Sequence, residues 1–393
     1  MKILHTVEFY HPSVGGMQEV VKQLSERLVA FGHNVTVATT RIPTRTEILV
    51  NGVRIEEFDI SGKLALGMTG EVDRYQRFLL ESDFDVITNF AALQWTTDAM
   101  ITILDRIKAK KVFVPTGFSE LNHPRFKQYF ASMPKWMMQY DMNVFLSNNY
   151  RDINFARKNG VKKVVVIPNG ASEDEFLPIS VIDIRARLGI PEDHFLVLHV
   201  GSHTGLKGHA EAISIFAKAR ISNATLLIAA NDFGEGCGTS CKIRKIFFNV
   251  WPLRHKEGKR VVITTLSRQD TVAAYQASDL FLFPSNVECS PLVLFECMAS
   301  HTPFMTTDVG NAAEIVDWSG GGILLPTRRD RNGRSLAQVS ESAALLAEIY
   351  QNRPWRERMV KSGFSAWRER FTWGTIARDY ETLYQNFKQD DSK

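Results

Sequence analysis

The sequence predicts an α/β protein of two units, each a mostly parallel sheet with helices on its faces. Three observations predict this. Short apolar, β-branched runs alternate with helical stretches along the whole chain. The alternation pauses at the polar stretch Pro168–Pro178 and then restarts. The 393 residues suffice for two separate cores.

In the first half, strands are predicted at Lys2–Val7, Val35–Thr39, Val53–Phe58, Val86–Asn89, Lys111–Pro115, Val144–Ser147 and Val164–Ile167. Between the first two lies a helix whose apolar residues Met17, Val20, Val21, Leu24, Leu28 and Phe31 recur at helical spacing, and Gly32 closes it. Asn51-Gly52 reads as a tight hairpin turn. In the second half the strands are Phe195–Val200, Ala224–Ala229, Val261–Thr265, Leu280–Phe283, Pro303–Thr307 and Ile323–Leu325. From Leu336 onward the chain reads as amphipathic helix. Two Rossmann-like domains facing a cleft follow from this order.

Composition narrows the class. Hydrophobic residues make up 44% and charged residues 23%, ordinary for a globular protein. A net charge of +4 does not by itself imply nucleic acid. No run reaches 18 apolar residues, and Met1–Val7 moves directly into a strand, so neither a membrane span nor a secretory leader is expected. The expected location is cytoplasmic. Four cysteines fit a reducing compartment. A zinc reading of Cys237 and Cys241 needs two more ligands, and none stands at the usual spacing, so no metal is expected.

The run Pro284-Ser-Asn-Val-Glu288-Cys-Ser-Pro-Leu-Val-Leu-Phe-Glu296-Cys-Met-Ala carries the most chemistry. Pro284 ends a buried strand. Ser290 suits an N-cap, Pro291 the first helical position, and a mostly apolar helix follows. Glu288 therefore sits at the carboxyl end of a strand, and the amides of Cys289 to Leu292 crown a helix N-terminus. Such an end favours phosphate. Glu296, six residues past the cap, lies roughly 9 Å along the axis. A carboxylate among apolar neighbours is rarely left unpaired.

This run resembles the signature of the retaining nucleotide-sugar glycosyltransferases of the GT-B fold, family 4: a Glu, seven residues, a second Glu, then small residues and a Pro. Here it continues through Ala299-Ser-His-Thr-Pro303 and Asp308-Val-Gly310-Asn-Ala-Ala-Glu314. The resemblance extends over nearly the whole chain. It implies an acceptor domain at 1–172, a nucleotide-sugar domain at 173–370, and a C-terminal helix, 371–393, crossing back onto the first domain.

The other candidate residues fall into place under this resemblance. Gly15 and Gly16 stand between the first strand and helix, where glycines let backbone approach a phosphate. Gly201-Ser202-His203 and Lys207-Gly208 end the first strand of the second domain. The family usually carries Arg where Ser202 stands. Arg268 is the expected substitute for that charge, and His203 a second. Lys207 suits a diphosphate. Thr116 and Gly117 occupy the place where the family often has a His facing the sugar, and His123 is nearby on the acceptor side.

The resemblance thus implies a retaining, metal-independent transferase without a cofactor. Glu296 holds the donor ribose, Lys207 and the helix start Cys289-Ser290-Pro291-Leu292, through the N–H groups of all but Pro291, meet the diphosphate, and Glu288 orients the sugar. Two basic and aromatic segments, Arg125–Met138 and Lys242–Arg260, suit an anionic membrane surface or a core helix with a solvated face. A lipid-linked glycan at the inner membrane face is the expected acceptor. A nucleotide-sugar epimerase of the same fold and a non-catalytic subunit of a polysaccharide assembly complex stay open.

Overall fold

The computed structural model describes residues 1–231, 236–250 and 257–390. Trp251, Arg254 and Lys256 of the second basic segment lie outside the described residues. The chain divides into two compact units. One is Met1–Asn169 together with the chain from Trp373 on, and the other is Gly170–Thr372.

The first unit contains β1 (Lys2–Thr6), β2 (Asn34–Thr40), β3 (Leu49–Val50), β4 (Val53–Phe58), β5 (Ile60–Lys63), β6 (Gly67–Gly70), β7 (Val86–Phe90), β8 (Lys110–Val114), β9 (Met142–Phe145) and β10 (Val164–Val166). Its sheet runs in the order β10-β9-β8-β7-β1-β2-β4-β3. All neighbours are parallel except β3 and β4, which turn at Asn51-Gly52 with φ of 49° and 80°. That is the primed turn the Asn-Gly pair predicts. The small β5–β6 hairpin was not foreseen, since its strands carry three glycines in eight residues and lack an apolar period.

The helices of this unit are α1 (Gly16–Ala30), α2 (Val72–Glu81), α3 (Trp95–Ile101), α4 (Lys127–Gln139) and α5 (Arg151–Lys158). α1 buries Val20, Val21, Leu24 and Leu28, the face its spacing marks. In α4 the aromatic residues Tyr129 and Phe130 are buried with Met133 and Met137, so this basic-aromatic segment is a core helix with a solvated face.

The second unit carries β11 (Phe195–Val200), β12 (Ala224–Ala229), β13 (Lys259–Thr264), β14 (Leu280–Phe283), β15 (Phe304–Thr306) and β16 (Gly322–Leu324) in the order β13-β12-β11-β14-β15-β16, all parallel. A short antiparallel pair, β17 (Thr327–Arg329) and β18 (Ser335–Ala337), follows. Helices α6 (Glu173–Phe176), α7 (Ile184–Arg187), α8 (His209–Lys218), α9 (Gly238–Val250), α10 (Arg268–Gln276), α11 (Leu292–Ala299), α12 (Ala312–Ser319), α13 (Val339–Gln351) and α14 (Arg353–Arg370) surround it. Strands covered on both faces read as unbroken apolar runs. β14, Leu-Phe-Leu-Phe, is wholly buried. Separate apolar cores lie on its two faces, one around Leu280 and Leu282, the other around Phe281 and Phe283.

Each sheet reverses its strand order at one place. In the first unit this lies between β1 and β7, in the second between β11 and β14. Loops diverge at the carboxyl ends there and leave a crevice for ligands.

The last helix, α15 (Trp373–Asp390), belongs to the first unit and packs on α1. Tyr384 Oη lies 2.7 Å from Thr88 Oγ1 on β7 and 3.4 Å from His5 Nε2 on β1. Glu381 meets His33 Nε2 at 2.8 Å. His5 is fully buried, and burial lowers its pKa to about 3, so it stays neutral. Among the described residues no helix is long and apolar enough to cross a membrane.

Tyr384→Phe removes a buried hydroxyl and strands Thr88. Chemical denaturation is expected to show a loss of about 1–2 kcal/mol, with the fold unchanged by circular dichroism.

Candidate active site

The residues singled out in the second unit gather at its switch point. β11 ends at Val200, and the loop from Gly201 to Gly208 leads into α8. β14 ends at Phe283, and Pro284 to Pro291 lead into α11. These two loops are joined by Asn286 N–H donating to Leu206 O at 2.8 Å. Gly208 has φ of +75°, and a Cβ there would sit 1.9 Å from Pro284 O. Only glycine allows this approach.

Lys207 Nζ and Glu288 Oε1 form an ion pair of 2.7 Å across that junction, and Ser285 Oγ donates to the same carboxylate oxygen at 2.8 Å. The Glu288 side chain is 11% exposed, so its charge needs these partners. Ser285 is a residue the sequence reading missed, although it directly follows Pro284. A third loop supports Glu288. Asn311 N–H donates to Cys289 O at 2.9 Å, and Gly310, at φ +58°, would place a Cβ 2.3 Å from that oxygen.

The helix entry differs from the expectation. α11 begins at Leu292 with Pro291 as its cap, and no side chain caps it. Ser290 instead accepts from Asn311 Nδ2 at 3.2 Å. Pro291 sits at φ −70° and ψ 114°, outside the helix, which shifts the start by one residue.

Glu296 is buried on α11, and Arg268 Nη1 meets it at 2.7 Å. Arg268, the first residue of α10, also grips Glu175 with Nε at 2.9 Å and Nη2 at 2.7 Å. Its guanidinium therefore serves two carboxylates. Arg268, expected as the substitute for the arginine missing at Ser202, is thus engaged by Glu175 and Glu296 here. Sequence reasoning missed Glu175, which lies 93 residues from Arg268.

His203 is the second expected substitute. It is buried, its backbone N–H donates to Asn231 Oδ1 at 2.7 Å, and its Nδ1 lies 3.5 Å from Cys237 Sγ. Burial, with Lys242 nearby, lowers its pKa. Cys237 and Cys241 also have histidines beside them, so spacing along the chain misjudged what the fold brings together.

In the first unit Gly15 stands at the N-cap of α1 in an extended conformation. Thr116, Gly117 and Phe118 follow β8 with φ of +59°, +100° and +48°. Gly117 N–H donates to buried Asp152 at 2.8 Å. Ala91 and Leu93 after β7 also have positive φ. Such strain on non-glycine residues marks sites that the surroundings hold in place. His123 is exposed and accepts from Arg125 N–H at 3.2 Å. It borders a groove of about 890 Å³ with Lys127, Phe130, Arg151 and Lys158.

A family model described as "Glycosyl transferases group 1" matches residues 180–364, and one described as "Glycosyltransferase Family 4" matches residues 14–175. The chain belongs to the group 1 glycosyltransferases. This glycosyltransferase is 24% identical to the N-acetyl-alpha-D-glucosaminyl L-malate synthase of Bacillus anthracis, over 97% of this chain and 96% of that one. It is 25% identical to the lipopolysaccharide glucosyltransferase WaaG of Escherichia coli, over 79% and 82%. Among solved structures it is similar to a sucrose-phosphate synthase from Thermosynechococcus elongatus, with a TM-score of 0.78 and 19% identity over 99% of both chains. It is also similar to Anabaena Alr3699/HepE in complex with UDP and glucose, with a TM-score of 0.72 and 17% identity over 98% and 100%. These structures share its GT-B fold.

Two predictions follow from the glycosyltransferase's loops. Gly208→Ala forces a Cβ onto Pro284 O and is expected to cost more than about 2 kcal/mol in denaturant unfolding, with the junction lost. Burial raises the pKa of Asp152 to about 6, against donation from the Ile153 and Gly117 amides. The folded state therefore holds its proton to higher pH than the unfolded chain. The Asp152 contribution falls as pH rises from about 4 to 6 and stays low above. Stability of wild type relative to Asp152→Asn should drop by up to about 3 kcal/mol over that window. Paired urea titrations at each pH check this.

Proposed function

We propose that this glycosyltransferase moves a sugar from a nucleotide-diphosphate sugar to a glycan or lipid-linked acceptor, with retention and without a metal in the transfer step. The observation that carries the reading is the Lys207–Glu288 pair at the switch point of β11 and β14, beside the start of α11.

The chemistry follows from charge. As the anomeric bond breaks, negative charge grows on the leaving diphosphate. Lys207 and the amides of Cys289, Ser290 and Leu292 would meet it. Glu288 would then exchange its ammonium partner for sugar hydroxyls, with Ser285 keeping the carboxylate in place. Glu296 would accept from the ribose hydroxyls, and Arg268 would orient it. Gly15 and Gly16 would leave the first turn of α1 open to a phosphate. Thr116, Gly117 and His123 would serve the acceptor. Retention would arise from same-face attack, with the departing phosphate taking the acceptor's proton, so no side-chain nucleophile is required.

The proposed setting is the cytoplasmic face of a membrane, in cell-surface polysaccharide synthesis. α9 supports it. Ile243, Ile246, Phe247 and Val250 are exposed on this helix, with Lys242, Arg244 and Lys245 among them. Apolar residues interleaved with positive charge match an anionic bilayer. WaaG, by name a lipopolysaccharide glucosyltransferase, is one of the relatives.

Thermal shift with UDP- and GDP-sugars is the test. One donor is expected to stabilise wild type and not Glu296→Ala. Lys207→Ala should keep the fold and lose about 10²–10³-fold in kcat. Stabilisation by no donor would favour a non-catalytic subunit, and sugar isomerisation without acceptor would favour an epimerase. Flotation on anionic liposomes at low salt should fail for Phe247→Glu. If wild type also ignores them, the membrane setting is wrong.

A further inference from the structure

Three separate segments bring thiols and imidazoles together beside the Lys207 loop. Cys237 immediately precedes α9 and Cys241 lies in its first turn, joined by the Cys241 N–H to Cys237 O bond of 2.9 Å. His203 comes from the loop after β11 and His209 from the start of α8. The ligand atoms of His203, Cys237 and Cys241 all lie within 4.8 Å of one another. His203 Nδ1 is 3.5 Å from Cys237 Sγ, and His209 Nδ1 is 3.7 Å from the same sulfur. The two rings stack with centroids 4.6 Å apart.

These distances have a meaning. A tetrahedral ion with bonds of 2.0–2.3 Å places its ligands about 3.3–3.8 Å from each other. Both imidazole–sulfur distances fall in that range. The tautomer of His209 is also set. Gly201 O can only accept, so His209 Nε2 donates to it at 3.1 Å and Nδ1 keeps its lone pair for a ligand. A carbonyl behind a ligating imidazole is the usual support at metal sites. His199 adds an independent observation. Its ring lies edge-on to His209 at 4.7 Å, and its Nδ1 donates to Leu282 O at 2.8 Å. That leaves Nε2 unprotonated, and this buried atom has no hydrogen-bond partner among the described residues. The wall of this site is thus rich in nitrogen lone pairs with few protons to meet them.

We propose that Cys237, Cys241 and His203, which already converge, bind one zinc-class divalent ion as a structural site, with His209 moving in from its place beside Cys237 Sγ as the fourth ligand. Two thiolates and two neutral imidazoles fill a tetrahedral shell, leaving no position for substrate. His203 and His209 flank Lys207 on either side, so the ion ties both ends of the Lys207 loop to the start of α9. It acts on the shape of that loop and takes no part in sugar transfer.

The full chain, kept reduced with a phosphine, is stripped with a chelator and titrated with Co(II), then Zn(II). The expected result is one cobalt per chain with the intense visible bands of tetrahedral thiolate-bound cobalt. Zinc should bleach them and raise Tm by about 5 °C or more. Cys237→Ser and Cys241→Ser should each abolish the bands, and His209→Ala should weaken binding by about 10–100-fold. If stripping unfolds the chain and zinc alone refolds it, the site is likewise supported. A folded, reduced wild type without visible bands overturns the proposal. So do bands that persist in the Cys237→Ser, Cys241→Ser double variant.

Discussion

One close approach organises the second unit, that of the loop after β11 to the loop after β14. These strands are neighbours at the point where the sheet reverses its order, so their following helices leave in opposite directions. Gly208 lets the loops touch, and Lys207 and Glu288 close the junction with opposite charges. Everything assigned to donor chemistry hangs from that junction. Glu288 is positioned by it, and the start of α11 follows four residues later. Under the proposed function, a ligand with phosphates and hydroxyls would replace each partner of the pair with one of its own.

The first unit meets a similar requirement by other means. Its loops at the carboxyl ends of β7 and β8 hold Ala91, Leu93, Thr116 and Phe118 in the left-handed region. Three of these four carry side chains larger than a methyl group, so the surrounding core must hold them there. Asp152 does part of this through Gly117. Tyr129 Oη, which accepts from Leu93 N–H and donates to Asp98, does another part. Burial drives the Asp98 pKa up to about 6.

Much of this was legible in the sequence, because parallel strands announce themselves as apolar runs and Asn-Gly announces its turn. The Glu288–Glu296 run was legible for the same reason, since strand, turn and helix are all local. What escaped is non-local. Arg268 was placed near the site, but its engagement by Glu175 depends on the packing of α6 against α10. Ser290 looked like a cap by type, and the extended backbone of Pro291 displaced it. The thiol–imidazole cluster escaped because its members lie up to 38 residues apart, separated by β12, and no spacing rule spans a strand crossing.

The division of the chain has a consequence for how the molecule is made. The second unit is one unbroken segment, Gly170–Thr372, and Ala171 and Thr372 near its ends pair with each other. It can therefore close as soon as it leaves the ribosome. The first unit emerges earlier, yet α15 supplies partners for His5, His33 and Thr88 only after the whole second unit has been made. The half of the protein that is translated first is the half that finishes folding last, and until then the surface reserved for α15 stands open to whatever else is in the cell.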